Sequence, residues 1–454
     1  KGGKKMSNNS KQSRPNVIWV FGDQHRAQAL SCNGDSNLST PNIDILANNG
    51  VNFTEAVSGY PLCCPFRGSL LSSKYPHKSV PGHEYQLDPE QSTIATVFNE
   101  NGYDTAYFGK WHLDGFHESE GRAAKHIIPP ENRGDFKTWM GYENNNSQWD
   151  SWIHGGEGND AFQYRLPGYE TDALTELLLD YLDEKGKSEK NENQPFFAVL
   201  SVQPPHNPYV APAEFMKRHN PQDIELRPNV AEVDSLKKQV RRDLAGYYAQ
   251  IENLDWNIGR IRQKLEDENL ADNTHIIFFS DHGDMHGSHG QYKKTTAYEE
   301  AIRIPFIISG AQSRYEGRKT GRIPVPVNHV DIAPTTLGLC GIDKPEWMEG
   351  TDYSHYRLDW RDKDEEPDSA YIQSVTPTMH GDSVGRPWRG IVTRSGWKYV
   401  CFEEVPWLLF NLNQDPYEQA NLAHNPLYQK QRKKLQERLQ EWIDKTDDKF
   451  VLPK

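Results

Sequence analysis

Cysteine is scarce in this chain. Five residues in 454, two of them adjacent at Cys63 and Cys64, are too few for a disulfide-built scaffold. Long apolar runs are missing too: the longest fall well short of the ~18 residues that span a bilayer, so no transmembrane helix is expected. Nor do basic residues dominate. Lys and Arg total 51 against 64 Asp and Glu, a formal net charge of −13, which argues against a nucleic-acid binder. It does not exclude an anionic substrate, because a few cations focused in a cleft beside a bound metal ion invert the local field. No internal repeat is visible. Residues 1–14 are rich in Lys, Gly, Asn and Ser, lack an apolar signal-peptide core and read as a disordered leader or processed end.

What is present alternates. Short apolar runs at 16–21, 105–108, 196–202 and 275–280 are separated by longer segments of helical period such as 171–184 and 233–270. That alternation predicts an α/β domain with a large, mostly parallel sheet flanked by helices, over residues 15–362. The charged stretch 184–194 reads as a solvated loop. Beyond the charged run 361–368, short strands at 370–375, 390–393 and 398–402 precede an amphipathic helix carrying Leu435, Leu439, Trp442 and Ile443 on one face. Residues 363–454 are therefore expected to form a smaller α+β subdomain on a short antiparallel sheet.

Each central run ends in polar residues: Asp23-Gln24, Lys110-Trp-His112, His206 and Asp281-His282. Ligands of open α/β sheets sit beyond the carboxyl ends of the strands, so these four groups are expected at one edge. Asp23 and Asp281 are hard oxygen donors suited to Ca2+, with Gln24 and His282 as further ligands; the amide and imidazole also admit Mn2+ or Zn2+. Pro65 suits the first turn of a helix. Cys63 would then stand at the positive helix end, where an anion is favoured, with Arg67 one turn in. His286 and His289 are not read as ligands, because their Gly-rich segment disfavours helical alignment.

Cys63-x-Pro65-x-Arg67, followed by Gly-Ser-Leu-Leu-Ser-Ser, resembles the type I sulfatase signature of the alkaline phosphatase superfamily. Gly109-Lys-Trp-His-Leu113, Pro204-Pro-His-Asn-Pro208 and Lys294-x-x-x-Tyr-Glu-Glu-x-x-Arg-x-Pro305 are similar to further elements of that family, so the likeness runs from about residue 16 to 422. The resemblance implies that a maturase oxidises Cys63 to formylglycine, that residue 63 also ligates the metal, and that the hydrated aldehyde attacks sulfur. It further implies that Lys110 holds the gem-diol hydroxyl, Lys294 binds sulfate, and Lys110, Arg67 and Lys294 offset charge on its oxygens. His206 would protonate the leaving alcohol and His112 would act as the base that expels sulfate.

The polar and aromatic stretches 141–154 and 380–389 are expected to line the pocket, with His380, Arg386 and Arg389 recognising a neighbouring anionic sugar. A sulfated carbohydrate is the substrate implied, and glycan-degrading relatives imply a periplasmic or secreted location. Two other readings stand beside it: a formylglycine-dependent phosphonate monoester hydrolase or phosphodiesterase, and a non-catalytic sulfated-glycan-binding protein.

Overall fold

The computed structural model describes residues 14–187, 194–311 and 319–454. Residues 1–13, most of the expected leader, and 188–193, half of the expected charged loop, lie outside the described residues.

Ten strands form the larger sheet: β1 Asn16–Gly22, β2 Val51–Phe53, β3 Asp104–Lys110, β4 Thr138–Tyr142, β5 Trp152–Gly155, β6 Phe162–Arg165, β7 Phe196–Ser201, β8 Thr274–Ser280, β9 Phe306–Gly310 and β10 Gly321–Ile323. Their order is β10-β2-β9-β8-β1-β7-β3-β4-β5-β6. β8, β1, β7, β3 and β4 run parallel, whereas β9, β5 and β6 pair antiparallel with their neighbours. The sheet is mixed, as expected, and the four apolar runs are its central strands.

Burial on both faces explains why these strands read as continuous apolar runs. Along β1, Val17, Trp19 and Phe21 enter one core with Phe66, Phe197 and Phe279, while Ile18 and Val20 enter the other with Leu174, Leu200 and Ile251. The first core lies under the Cys63–Ser72 helix; the second lies under the Glu170–Lys187 and Asp234–Asp267 helices. The Glu170–Lys187 helix corrects the expected loop, since residues 184–187 are helical. Glu170 and Asp172 in its first turn and Lys185 and Lys187 in its last complement the helix dipole, so these charges extend the helix.

The second sheet is antiparallel: β11 Ser369–Ser374, β12 Trp388–Thr393, β13 Trp397–Cys401 and β14 Pro406–Asn411. β14 was not foreseen in the sequence. The Gln429–Lys445 helix buries Leu435, Leu439, Trp442 and Ile443 against this sheet, and Tyr75 and Val330 of the larger unit join the same core. Among the described residues, no helix is long and apolar enough to cross a membrane.

Candidate active site

Strand polarity brings the expected polar residues together. Asp23 follows β1, Lys110 ends β3, and Asp281 and His282 follow β8, so three parallel strands of the sheet centre, with β7 between β1 and β3, deliver charge to one edge. The Cys63–Ser72 helix points its N-terminus at the same place, with Cys63 as its first residue. Its free N–H groups and dipole favour an anion there.

At the centre stands the Cys63 Sγ. Lys294 Nζ lies 3.1 Å from it, His282 Nε2 3.3 Å and Asp23 Oδ1 3.6 Å. Asp23 Oδ2 accepts from Lys110 Nζ at 2.5 Å. Asp281 Oδ1 accepts the backbone N–H groups of Gln24 and His282, each at 2.9 Å. Asp23, Cys63, Lys110, Asp281 and His282 are all at most 3% exposed.

Such burial of charge is tolerable only with partners. Arg67 supplies part of the compensation: its Nη2 lies 3.5 Å from both Asp23 Oδ2 and Asp281 Oδ2, and its Nη1 donates to the Lys110 carbonyl and to Ser201 Oγ. It therefore braces both carboxylates and does not itself line the cavity. Burial raises Asp23, but Lys110 and Lys294 outweigh it and hold that carboxyl well below the usual range. Asp281 is pushed up to about 6, by burial first and then by the Asp23 charge. Burial works against the Lys294 ammonium, but the Cys63 and Asp23 side chains outweigh it and raise its pKa.

The donor set fits a divalent cation. Asp23, Cys63, Asp281 and His282 offer ligand atoms within 4.8 Å of one another. His282 Nδ1 meets the Gly283 carbonyl at 3.0 Å, and a carbonyl only accepts, so the proton sits on Nδ1 and Nε2 keeps its lone pair toward the centre. Gln24 Nε2 donates to Asp284 Oδ2, which leaves Oε1 a buried acceptor with no donor among the described residues. Two carboxylates, an amide oxygen and an imidazole suit Ca2+ and admit Mn2+ or Zn2+.

Above this floor lies a cavity of about 180 Å³, lined by Cys63, Lys110, Lys294, His112, His206 and His380 among others. His112 has left-handed backbone, φ 58°, and burial first, then Lys110 and His83, lower its pKa well below the ordinary imidazole value. The His206 carbonyl accepts from Gln148 and Gln250, and its Nδ1 meets the Asn207 carbonyl at 2.7 Å. Burial and Lys294 lower its pKa also.

The expected substrate residues separate. His380 lines the cavity. Arg389 does not: on β12, its guanidinium is bonded to Asp448 and to the Ser374 and Trp388 carbonyls. Arg386 pairs with Glu404 and covers Phe402, also away from the cavity lining. Both expectations are corrected by these tertiary ion pairs. Of the stretch 141–154, Asn144 and Asn146 reach the cavity, while much of the rest forms β4 and β5. His83 was missed. Its ring stands 5.5 Å from His112 and 5.3 Å from His380, edge to face with each, and its Nδ1 lies 3.8 Å from Cys64 Sγ. A lone His in a Pro-Gly loop carries no local signal of such a place.

Residues 15–342 match the sulfatase family, and residues 287–445 match the C-terminal region of N-sulphoglucosamine sulphohydrolase. The chain is 33% identical to the ulvan-active sulfatase of Formosa agariphila, over 98% of this chain and 84% of that protein. It is 29% identical to the endo-4-O-sulfatase of Bacteroides thetaiotaomicron, over 90% and 88%. The crystal structure of yidJ from Bacteroides fragilis is 28% identical with a TM-score of 0.84, covering 98% and 99% of the two chains. The phosphonate monoester hydrolase of Agrobacterium radiobacter, at 22% identity and TM-score 0.76 over 95% and 96%, shares the fold. With family motif, fold and extent of match in agreement, this chain belongs to the sulfatase family within the alkaline phosphatase superfamily and is a sulfuric ester hydrolase.

Proposed function

We propose that the chain removes sulfate from a sulfated sugar or oligosaccharide, using a formylglycine made from Cys63 by a maturase and a divalent cation, calcium first, held by Asp23, Gln24, Asp281 and His282 beside residue 63. The supporting observation is the convergence on one cavity of Cys63, Lys110, Lys294 and the imidazoles of His112 and His206, both held neutral by burial.

When present, the formylglycine hydrate supplies one hydroxyl to attack sulfur and a second whose deprotonation expels sulfate, and the cation supplies Lewis acidity beside it. The chain's own residues do the rest. Lys294 and Lys110 place fixed positive charge where the sulfate oxygens arrive, in a cavity whose burial strengthens each interaction. His206 carries its Nδ1 proton toward Asn207, so Nε2 faces its task unprotonated. An arriving anion favours its uptake of a proton, which it then gives to the departing alcohol oxygen. His112, kept neutral, has the lone pair that a base needs.

A carbohydrate leaving group is favoured by the rim. Asn144, Asn146, Glu118, Thr378 and Ser383 form a hydrogen-bonding set suited to sugar hydroxyls. The ulvan-active sulfatase, and an N-acetylglucosamine-6-O-sulfatase 25% identical over 94% of this chain, support the same substrate class and, with it, a secreted or periplasmic place of action. The test is sulfate release from a panel of sulfated oligosaccharides, set against aryl sulfate and aryl phosphonate, by protein co-expressed with a formylglycine-generating maturase. The reading expects the highest kcat/KM on a sulfated sugar. Faster turnover of aryl phosphonate than of any sulfate ester would replace it with the phosphonate hydrolase reading.

A further inference from the structure

Asp284 does not line the cavity, yet its buried carboxylate collects three segments that do the work there. Oδ2 accepts from Gln24 Nε2 at 2.7 Å and from the Tyr209 hydroxyl at 2.6 Å. Oδ1 accepts the backbone N–H groups of His286 and Lys293, each at 3.1 Å. These four contacts match the roughly four lone-pair sites of a carboxylate, and the His286 Nε2 stands 3.3 Å from Oδ2 beside them. Gln24 follows Asp23, Tyr209 lies three residues after His206, and Lys293 precedes Lys294.

The consequence for Gln24 follows from donor and acceptor chemistry. An ionised carboxylate accepts and never donates, so the end of the Gln24 amide that meets Asp284 is the NH2 and the carbonyl oxygen is turned the other way. That oxygen is buried without a donor among the described residues. The backbone is pinned as well: the Gln24 N–H donates to Asp281 Oδ1 at 2.9 Å, and its carbonyl accepts from the Tyr247 hydroxyl at 2.7 Å. A flip of the amide is thus opposed by a single contact, the one to Asp284.

We propose that Asp284 is a positioning residue: it holds Gln24 with its carbonyl oxygen free for the cation and anchors to the same point the segments that carry His206 and Lys294. This rests on the reading that Asp23, Gln24, Asp281 and His282 share a divalent cation.

The test is calorimetric titration of Ca2+ into the full chain after stripping with a chelator. Asp284→Asn turns an NH2 group toward donors on one side, either Gln24 and Tyr209 or the His286 and Lys293 N–H groups, so the anchor breaks and Ca2+ affinity is expected to fall about tenfold or more. Gln24→Glu gives the sharper sign. Without a need for anchoring, an added carboxylate in the ligand set should tighten Ca2+; here it faces the Asp284 carboxylate, loses its anchor and should bind Ca2+ more weakly than wild type. Combining Gln24→Glu with Asp284→Asn restores a donor–acceptor pair, and affinity should recover. Wild-type affinity in Asp284→Asn, or tighter Ca2+ binding in Gln24→Glu alone, overturns the proposal; the second variant decides if the first fails to fold. Asp23→Asn separates the two readings. Ca2+ binding that is lost in Asp23→Asn but indifferent to both other substitutions sinks the Asp284 role alone, whereas a wild-type chain that takes up no Ca2+, Mn2+ or Zn2+ sinks the cation reading and the proposal together.

Discussion

On the floor of the cavity, Asp23, Lys110, Arg67 and Asp281 hold one another through ion pairs and hydrogen bonds, nearly without exposure and each fixed to a strand end or a helix. On the rim, His380 is exposed, Glu118 opens a single 3-10 turn, Asn146 stands on a loop, and Lys293 reaches Asp382 at 2.6 Å across open side chains. The difference separates two tasks. Charge that must be desolvated and aimed is built into the sheet edge, where no side chain can move without unpairing another. Groups that choose a substrate sit on loops, which can change without disturbing the floor.

The largest effect should come from breaking the floor. Lys110→Ala strips Asp23 of its 2.5 Å partner, and kcat is expected to fall by about 10²–10³ with a lowered melting temperature. A loss confined to KM would show instead that Lys110 belongs with the rim. Next, the rim should respond in the opposite parameter. His83→Ala and His380→Ala are expected to raise KM for a sulfated oligosaccharide about tenfold, roughly 1.4 kcal/mol, and to leave kcat on a small aryl sulfate within about twofold. Equal loss on both substrates would place His83 in the chemistry through its contact with His112.

A pH profile sharpens the same division. His112 and His206 both have pKa values lowered from 6.5, by burial first and then by Lys110 and Lys294 respectively. The limb of kcat/KM set by these imidazoles should therefore lie on the acid side of 6.5, and a limb above that value would contradict the account of their environment.

Smallest in kinetics are the two arginines. Arg389→Ala should leave kcat and KM alone but cost about 2 kcal/mol of stability, because Asp448 would lose its guanidinium and keep only the Tyr371 hydroxyl, the Gln373 amide and, at 3.8 Å, the His77 imidazole. Asp448 is held down to about 2 against its ordinary 3.8, chiefly by Arg389 acting against burial. A depressed carboxyl stabilises the fold above its unfolded pKa, so the contribution of this pair is full above about pH 4 and lost as pH falls toward 2. The variant's deficit in urea unfolding should shrink over that window. Arg386→Ala, removing an exposed pair with Glu404, should change neither quantity measurably.

Much of the floor was legible in the sequence for a physical reason. A strand buried on both faces must be a continuous apolar run, and the first polar residues after it fall at the sheet edge, which is how Asp23, Lys110 and Asp281 could be placed without a structure. The Cys63 helix was legible through Pro65. The rim was legible only in part: the stretches 141–154 and 380–389 contain Asn144, Asn146, His380, Asp382 and Ser383, whereas residues 83, 118 and 378 carry no local signal and join them only through tertiary folding. Arg389 was misread for the same reason: its partner Asp448 lies 59 residues on and has no sequence signal. β14 opens with a proline, β4 is broken by Gly141, and β5 and β6, 4 residues each, are too short to show a period.

The central claim is that residue 63, on the buried floor, is the group that attacks. Its most direct test is a titration of activity against conversion: preparations matured to different extents, with the fraction of formylglycine at position 63 read by peptide mass, a loss of about 18 Da, and sulfate release measured on each. The account expects kcat to rise in proportion to that fraction and to extrapolate to zero at none. Sulfate release independent of the fraction converted would contradict it.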